Sequence, residues 1–412
     1  AARAAVDAVA PRPSPLAPAN IAIVGVGCLL PGAQDPATLW RNLLDKVTLT
    51  REIPVERWDW RLLYDPDKTA PDKIYAKWGG FIDPLPFDPL HYGIPPKALP
   101  SIAVTQLLAL EATRRALQDA GYGDAIEDAA LRSRTAVFFG AGNTGDIEQM
   151  YMVRSALPLV APEAGDTVAG AALFQRLPAW SEESYPGILA NVIAGRVANR
   201  FDLGGPNLTL DAACASSLAA LDLAVRELEA GRSDLVLTGG IEFEQTPQAY
   251  MAFSKTQALS PTGQARVFDQ TGDGIVISEG AVVLVLKRLA DAERDGDRIY
   301  AVIRAVAGSS DGKGFGLTAP KPAGQRSAFD RAHALAGSTP AALELYEAHA
   351  TGTAVGDRSE LEMITGALRD AHAAPGACVT GSTKSLLGHT RGAAGALGVL
   401  KAALALHHRV LP

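Results

Sequence analysis

Three short segments hold the residue types from which covalent chemistry can be built. The first is Asn207-Leu-Thr-Leu-Asp-Ala-Ala-Cys-Ala-Ser-Ser-Leu218, followed by Leu221, Val225 and Leu228 at helical spacing. This pattern places Cys214 at a strand-to-helix elbow. A thiol there feels the positive end of the helix dipole and nearby backbone N–H groups, which favour the thiolate. Such a sulfur is competent for covalent catalysis. Most free cysteines, however, are small buried hydrophobes, and Cys214 taken alone reads that way. Cys28 and Cys378 have no elbow followed by a clear helical pattern, and they read as structural.

The other two segments are Glu347-Ala-His-Ala-Thr-Gly-Thr-Ala-Val-Gly-Asp357, with His349, and Gly381-Ser-Thr-Lys-Ser-Leu-Leu-Gly-His-Thr390, with Lys384 and His389. Both histidines lie among glycines and small residues, where a ligand can come close to the backbone. A lone histidine in such a place is usually a structural hydrogen bonder. Two of the seven in the chain, with Lys384 five positions before one of them, shift the balance toward a site.

Strand-like and helix-like segments alternate, as in Ile21 to Val26, Ala37 to Leu44 and Thr135 to Phe139, which argues an α/β fold. The proline-rich run Pro84 to Pro100 predicts an irregular excursion, and Thr105 to Ala120 a helix stopped by Gly121. Leu397, Leu400 and Leu404 predict a last helix running into His407 and His408. In Ile21-Ala-Ile-Val-Gly-Val-Gly27 the glycines invite a dinucleotide-binding reading, but the third glycine is missing and Pro31 interrupts any immediate helix. A tight strand-exit turn is the preferred reading.

Composition excludes several classes. With 412 residues, 48% hydrophobic and 20% charged, the chain can bury a large core. A net charge of −7 argues against a nucleic-acid partner. The three cysteines lie far apart, fitting neither a disulfide framework nor a zinc site, so a reducing, cytoplasmic setting and no metal are expected. The longest apolar runs fall short of the roughly 20 residues of a spanning helix, so no membrane anchor is expected. Residues 1–20, rich in Ala and Pro, read as a linker, and both ends read as cuts through a longer polypeptide.

The three segments, in this order, resemble the successive signatures of β-ketoacyl synthases. The resemblance runs from about Ile21 to the last residue and includes Arg266-Val-Phe-Asp269 and Ser278-Glu-Gly280. Gly93 to Pro96 and Ser309 to Pro320 look most similar to iterative polyketide or polyunsaturated-fatty-acid synthases. The resemblance implies a thiolase-type layered αβαβα fold of two pseudo-repeated halves, with residues 21–412 forming one ketosynthase domain. It makes Cys214 the acyl acceptor, His349 and His389 the pair assisting decarboxylation, and Lys384 their support. Thr351 and Thr353 would lie along the phosphopantetheine arm, or on a solvated loop. Asp357 and Glu360 would pair with Lys384 or face water, in structural roles.

The implied reaction is decarboxylative Claisen condensation of a Cys-bound acyl chain with malonyl-carrier protein, giving a 3-oxoacyl product, with no cofactor bound by the domain itself. Implied partners are an acyl carrier protein, neighbouring synthase domains and a second copy in a homodimer. The family's glycine-rich segment after the last helix does not occur before Pro412, which puts the activity of these residues alone in question. Ala350 and Ala215 stand where most relatives carry glycine and many carry serine, changes small enough to be tolerated. The rival readings are a catalytically silent, dimeric ketosynthase-like scaffold and a decarboxylating, non-elongating homologue.

Overall fold

The structure is a computed structural model that describes residues 18–142, 145–163, 167–313 and 319–412. The linker expected over residues 1–20 lies outside the described residues up to position 17, as do positions 314–318 of the run from Ser309 to Pro320.

The central sheet comprises β1 (Ile21–Leu29), β2 (Thr135–Gly140), β3 (Asn207–Leu210), β4 (Leu235–Glu242), β5 (Gly280–Arg288) and β6 (Ala301–Ile303), in the order β3-β2-β4-β5-β1-β6. β2 runs parallel to β3 and β4, whereas β5 is antiparallel to both of its neighbours. β1, β2 and β4 are buried throughout and β5 almost throughout. Strands covered on both faces need such near-continuous apolar runs. On one face Val137, Leu237 and Val285 pack against α1 (Val104–Asp119) and α2 (Val192–Arg200). On the other, Phe138, Val236 and Leu284 pack against α3 (Ser216–Glu229) and the last helix.

The glycines of β1 show why the nucleotide signal was empty. Gly25 and Gly27 lie inside the strand, not in an exit turn, so the expected turn is corrected. A Cβ on Gly25 would stand 2.6 Å from the Ala116 carbonyl oxygen, and one on Gly27 would strike that of Ala112. Both positions are bare because α1 lies directly on the strand. The register shifts between Ile23 and Gly25, which reverses the alternation: Ile21 and Ile23 face the α3 side, and after the shift Val26 and Cys28 do.

The second half repeats the motif on a smaller scale. β7 (Leu345–Glu347) pairs parallel with β8 (Val379–Gly381). Tyr346 of β7 meets the ring of Phe329 on α4 (Pro322–Ala336) and the carboxylate of Glu360 on α5 (Ala354–Asp370). The pair β2 and β3 leads into α3, and the pair β7 and β8 leads into α6 (Ala394–His408). α3 and α6 meet where the Ser217 hydroxyl accepts the Ala396 N–H at 3.0 Å. Together these elements stack as helix, sheet, helix, sheet, helix, which is the αβαβα layering expected. The helix expected from Thr105 is α1, and Gly121 follows it at φ +86°. No helix among the described residues is long and apolar enough to cross a membrane.

Candidate active site

Cys214 stands on the turn between β3 and α3. The Asp211 carboxylate accepts the Ala213 N–H, and the Ser216 hydroxyl accepts the Ala212 N–H while donating to the Ala213 carbonyl. These bonds hold Ala213 at φ +50°, a conformation non-glycine residues seldom adopt. One 3-10 turn, Ala213–Ala215, then delivers the chain into α3 with Cys214 in its middle.

The histidines arrive from the other half. His349 lies two residues beyond β7, whereas His389 lies eight residues beyond β8, past the short helix Lys384–Leu387. The Nε2 atom of His389 lies 3.1 Å from the Cys214 sulfur. The two imidazoles stand nearly perpendicular, with centroids 5.3 Å apart. Cys214, His349 and Lys384 line one cavity of about 310 Å³, whose wall toward α6 is built of small residues such as Gly395 and Gly398.

Hydrogen bonding assigns the protons. The backbone N–H of Arg391 points at Nδ1 of His389 at 3.2 Å. An N–H can only donate, so Nδ1 accepts and the ring proton of the neutral imidazole sits on Nε2, aimed at sulfur. The ring is neutral because complete burial, aided by the charges of Lys384, His349 and Arg391, drives its pKa well below the usual histidine range. Burial and Lys384 likewise bring His349 down to about 4. Lys384 is only 4% exposed, and burial lowers its pKa. The thiol differs from expectation. Burial raises the Cys214 pKa, and the charges of Lys384 and Arg391 offset this only in part. A helix end favours the thiolate, but dehydration outweighs it here.

Asp357 and Glu360 correct the expected ion pairs. Among the described residues neither forms an ion pair with Lys384, and both are buried. Glu360 accepts the N–H groups of His349 and Ala350 at 2.8 and 2.7 Å. Asp357 accepts those of Thr351, Gly352 and Phe268. A loop with this many buried amides needs acceptors, and two carboxylates on the first turns of α5 provide them. Thr351 is buried and its hydroxyl lies 3.2 Å from that of Thr353. Glu347 ties the half together, accepting the Thr383 N–H and pairing with Lys401 of α6 at 2.7 Å.

Sequence reasoning missed Arg391, Glu242 and Glu244. The guanidinium of Arg391 is gripped by Glu242 at 2.7 Å and Glu244 at 2.9 Å and also bonds the Glu244 carbonyl. The signal was present: two carboxylates closing an apolar buried strand need a cation, and an arginine two residues beyond His389 supplies one.

Models of the β-ketoacyl synthase N-terminal and C-terminal domains match residues 19–292 and 300–412. The chain belongs to the β-ketoacyl synthase family. Enzymes of this family are acyltransferases that catalyse Claisen condensation in polyketide and fatty-acid synthesis. The chain is 38% identical over 401 residues to one subunit of the polyunsaturated fatty acid synthase of Thraustochytrium sp., a match covering 95% of this chain and 14% of that protein. It is 38% identical over 396 residues to a mycocerosic acid synthase-like polyketide synthase of Mycolicibacterium smegmatis, covering 96% and 17%. The oxazolomycin ketosynthase domain from Streptomyces albus superposes with a TM-score of 0.80 at 35% identity, covering 94% of this chain and 62% of that one. The PfaC keto synthase-chain length factor superposes with a TM-score of 0.84 at 30% identity, covering 93% and 41%. The chain thus spans less than a fifth of these two curated relatives.

Proposed function

We propose that residues 21–412 act as one ketosynthase unit whose acyl acceptor is Cys214. The sulfur attacks the carbonyl of an acyl thioester on a carrier protein. A C–S bond forms, the carrier's C–S bond breaks, and the thiol proton leaves with the carrier sulfur. Malonyl-carrier then enters the cavity and loses carbon dioxide, leaving its electron pair in an enolate. The oxygen of that enolate receives hydrogen bonds from His349 and from Nε2–H of His389. Neutral imidazoles suit this role, because a dry site strengthens donors aimed at a developing oxyanion. The enolate carbon attacks the Cys214 thioester, a C–C bond forms as the C–S bond to Cys214 breaks, and the sulfur departs as thiolate, regaining a proton from solvent, to leave a 3-oxoacyl chain on the carrier.

Lys384 supplies a nearby fixed charge that lowers the cost of the enolate, while Asp357 and Glu360 hold the loop carrying His349. Thr351 and Thr353 border that loop and are assigned to the phosphopantetheine arm of the carrier. The partners of this reading are a carrier protein, neighbouring synthase domains and a second copy of the chain, in the cytoplasm. A homodimer has a ready edge in β3, which closes the sheet with Leu208 48% exposed.

The 3.1 Å contact between Cys214 and His389 carries the reading. It also speaks against the silent scaffold and the decarboxylating homologue, since neither has use for an engaged nucleophile. The test is to incubate the full natural protein with a radiolabelled acyl thioester and then with malonyl-carrier. Label should appear on Cys214 and move to a 3-oxoacyl product. An intact protein that takes no label at Cys214 overturns the proposal.

A further inference from the structure

The structure points to Arg391 as a positioning residue that acts through His389, we infer, with Glu242 and Glu244 as the anchors that let it do so. The inference rests on the reading of Cys214 and His389 given above. Its readouts use the thiol and the imidazole alone and need no condensation.

Arg391 adopts φ +41°, a left-handed conformation that disfavours a side chain with a Cβ. Its N–H faces Nδ1 of His389, two residues back, and the left-handed φ sets the direction in which the side chain and the next residues leave that point. Something must hold the backbone there, and the side chain does. The guanidinium forks between Glu242 and Glu244, which lie at the exit of β4, some 150 residues away in the chain. All three side chains are largely buried, and the Glu242 carboxylate also accepts the Glu244 N–H at 2.8 Å. The approach is close because Gly240 is bare: a Cβ there would stand 2.6 Å from the Gly392 carbonyl oxygen. The clamp therefore fixes the His389 turn to β4 of the other half and selects the Nε2–H tautomer facing sulfur.

A second route for Arg391 is purely electrostatic, since its charge, with that of Lys384, lowers the thiol pKa while Glu242 raises it. The two routes differ in sign for one variant. In the double variant Glu242→Gln, Glu244→Gln, two negative charges leave the site and the arginine stays. Charge alone then predicts faster alkylation of Cys214, whereas a lost anchor predicts slower alkylation.

The experiment follows the iodoacetamide rate of Cys214 against pH in the full chain, together with the His389 tautomer by ¹⁵N NMR of histidine-labelled protein. Arg391→Met and the double glutamine variant should each slow alkylation at pH 7 about tenfold, the effect of roughly one unit on the thiol pKa. Both should show a mixed tautomer at His389. Arg391→Lys should restore part of the rate, because an ammonium keeps the charge without the fork. Arg391→Gly removes the backbone strain together with the anchor, and it should be as slow as Arg391→Met. Melting curves identify any variant that fails to fold, and Arg391→Lys, the mildest change, keeps the tautomer measurement in hand. Alkylation that is unchanged or faster in the double glutamine variant, with the Nε2–H tautomer intact, overturns the inference.

Discussion

His349 and His389 are 5.3 Å apart and chemically alike, yet the protein treats their rings in opposite ways. His349 is gripped through its backbone, by Glu360 on its own N–H and by Asp357 further along the loop. No hydrogen bond from its ring nitrogens occurs among the described residues, so its polar edge is left for whatever enters the cavity. His389 is held by its backbone as well, its N–H donating to the Val276 carbonyl and its carbonyl accepting the Ser278 N–H, but its ring is also taken, with Nδ1 occupied by Arg391 and Nε2 by Cys214. One imidazole is prepared for an incoming substrate and the other is already engaged with the nucleophile. Two residues of one type can therefore divide two steps of a reaction by their hydrogen bonds alone.

The largest effects should break this comparison if it is wrong. His389→Ala should depress both acylation of Cys214 and condensation by roughly 10²-fold or more, the usual loss when an oriented donor is removed. His349→Ala should leave acylation within about a few-fold while malonyl decarboxylation falls by roughly 10²-fold. Single-turnover labelling measures the first step and carbon dioxide release the second. Equal loss of acylation in both variants would erase the division of labour.

Glu360→Gln sharpens the comparison at a smaller scale. It should destabilise the fold by about 1–3 kcal/mol in denaturant titration, since one side-chain amide cannot replace a carboxylate that accepts from Tyr346, His349 and Ala350. Decarboxylation should slow while the alkylation rate of Cys214 stays put. The smallest effect is on acid stability. The His349 pKa is lowered to about 4 in the fold and lies near 6.5 unfolded, so the unfolded chain binds more protons between these values. Stability is then fully present above about pH 6.5 and declines as the pH falls toward 4. His349→Asn should flatten that decline in a series of melting curves, by about a few degrees at pH 5.

Much of the site was legible because its chemistry is local in sequence. The elbow at Cys214 follows from a short strand, small residues and an apolar helical pattern, and the alternation of elements gave an α/β fold, while its layered arrangement followed only from the family resemblance. What escaped depends on separation or on burial. The partners of Arg391 lie 147 and 149 positions away, and no spacing rule connects them. The direction of the Cys214 pKa shift depends on how much water the folded site excludes, which a helix-end argument does not contain. Asp357 and Glu360 sit where a surface helix would show charge, and only the fold reveals that buried amides face them. Gly25 and Gly27 gave a real signal of close approach, but the object that approaches is a helix and not a phosphate.

The distance along the chain between sulfur and imidazole also sets a clock. Cys214 and His389 are separated by 175 positions, and their contact crosses the two halves. At ribosomal rates His389 is added about 9–35 s after the thiol. During that interval the nascent elbow has no imidazole beside its sulfur, and Arg391 has yet to be made. The pairing of sulfur with imidazole therefore exists only in a chain whose two halves have already docked.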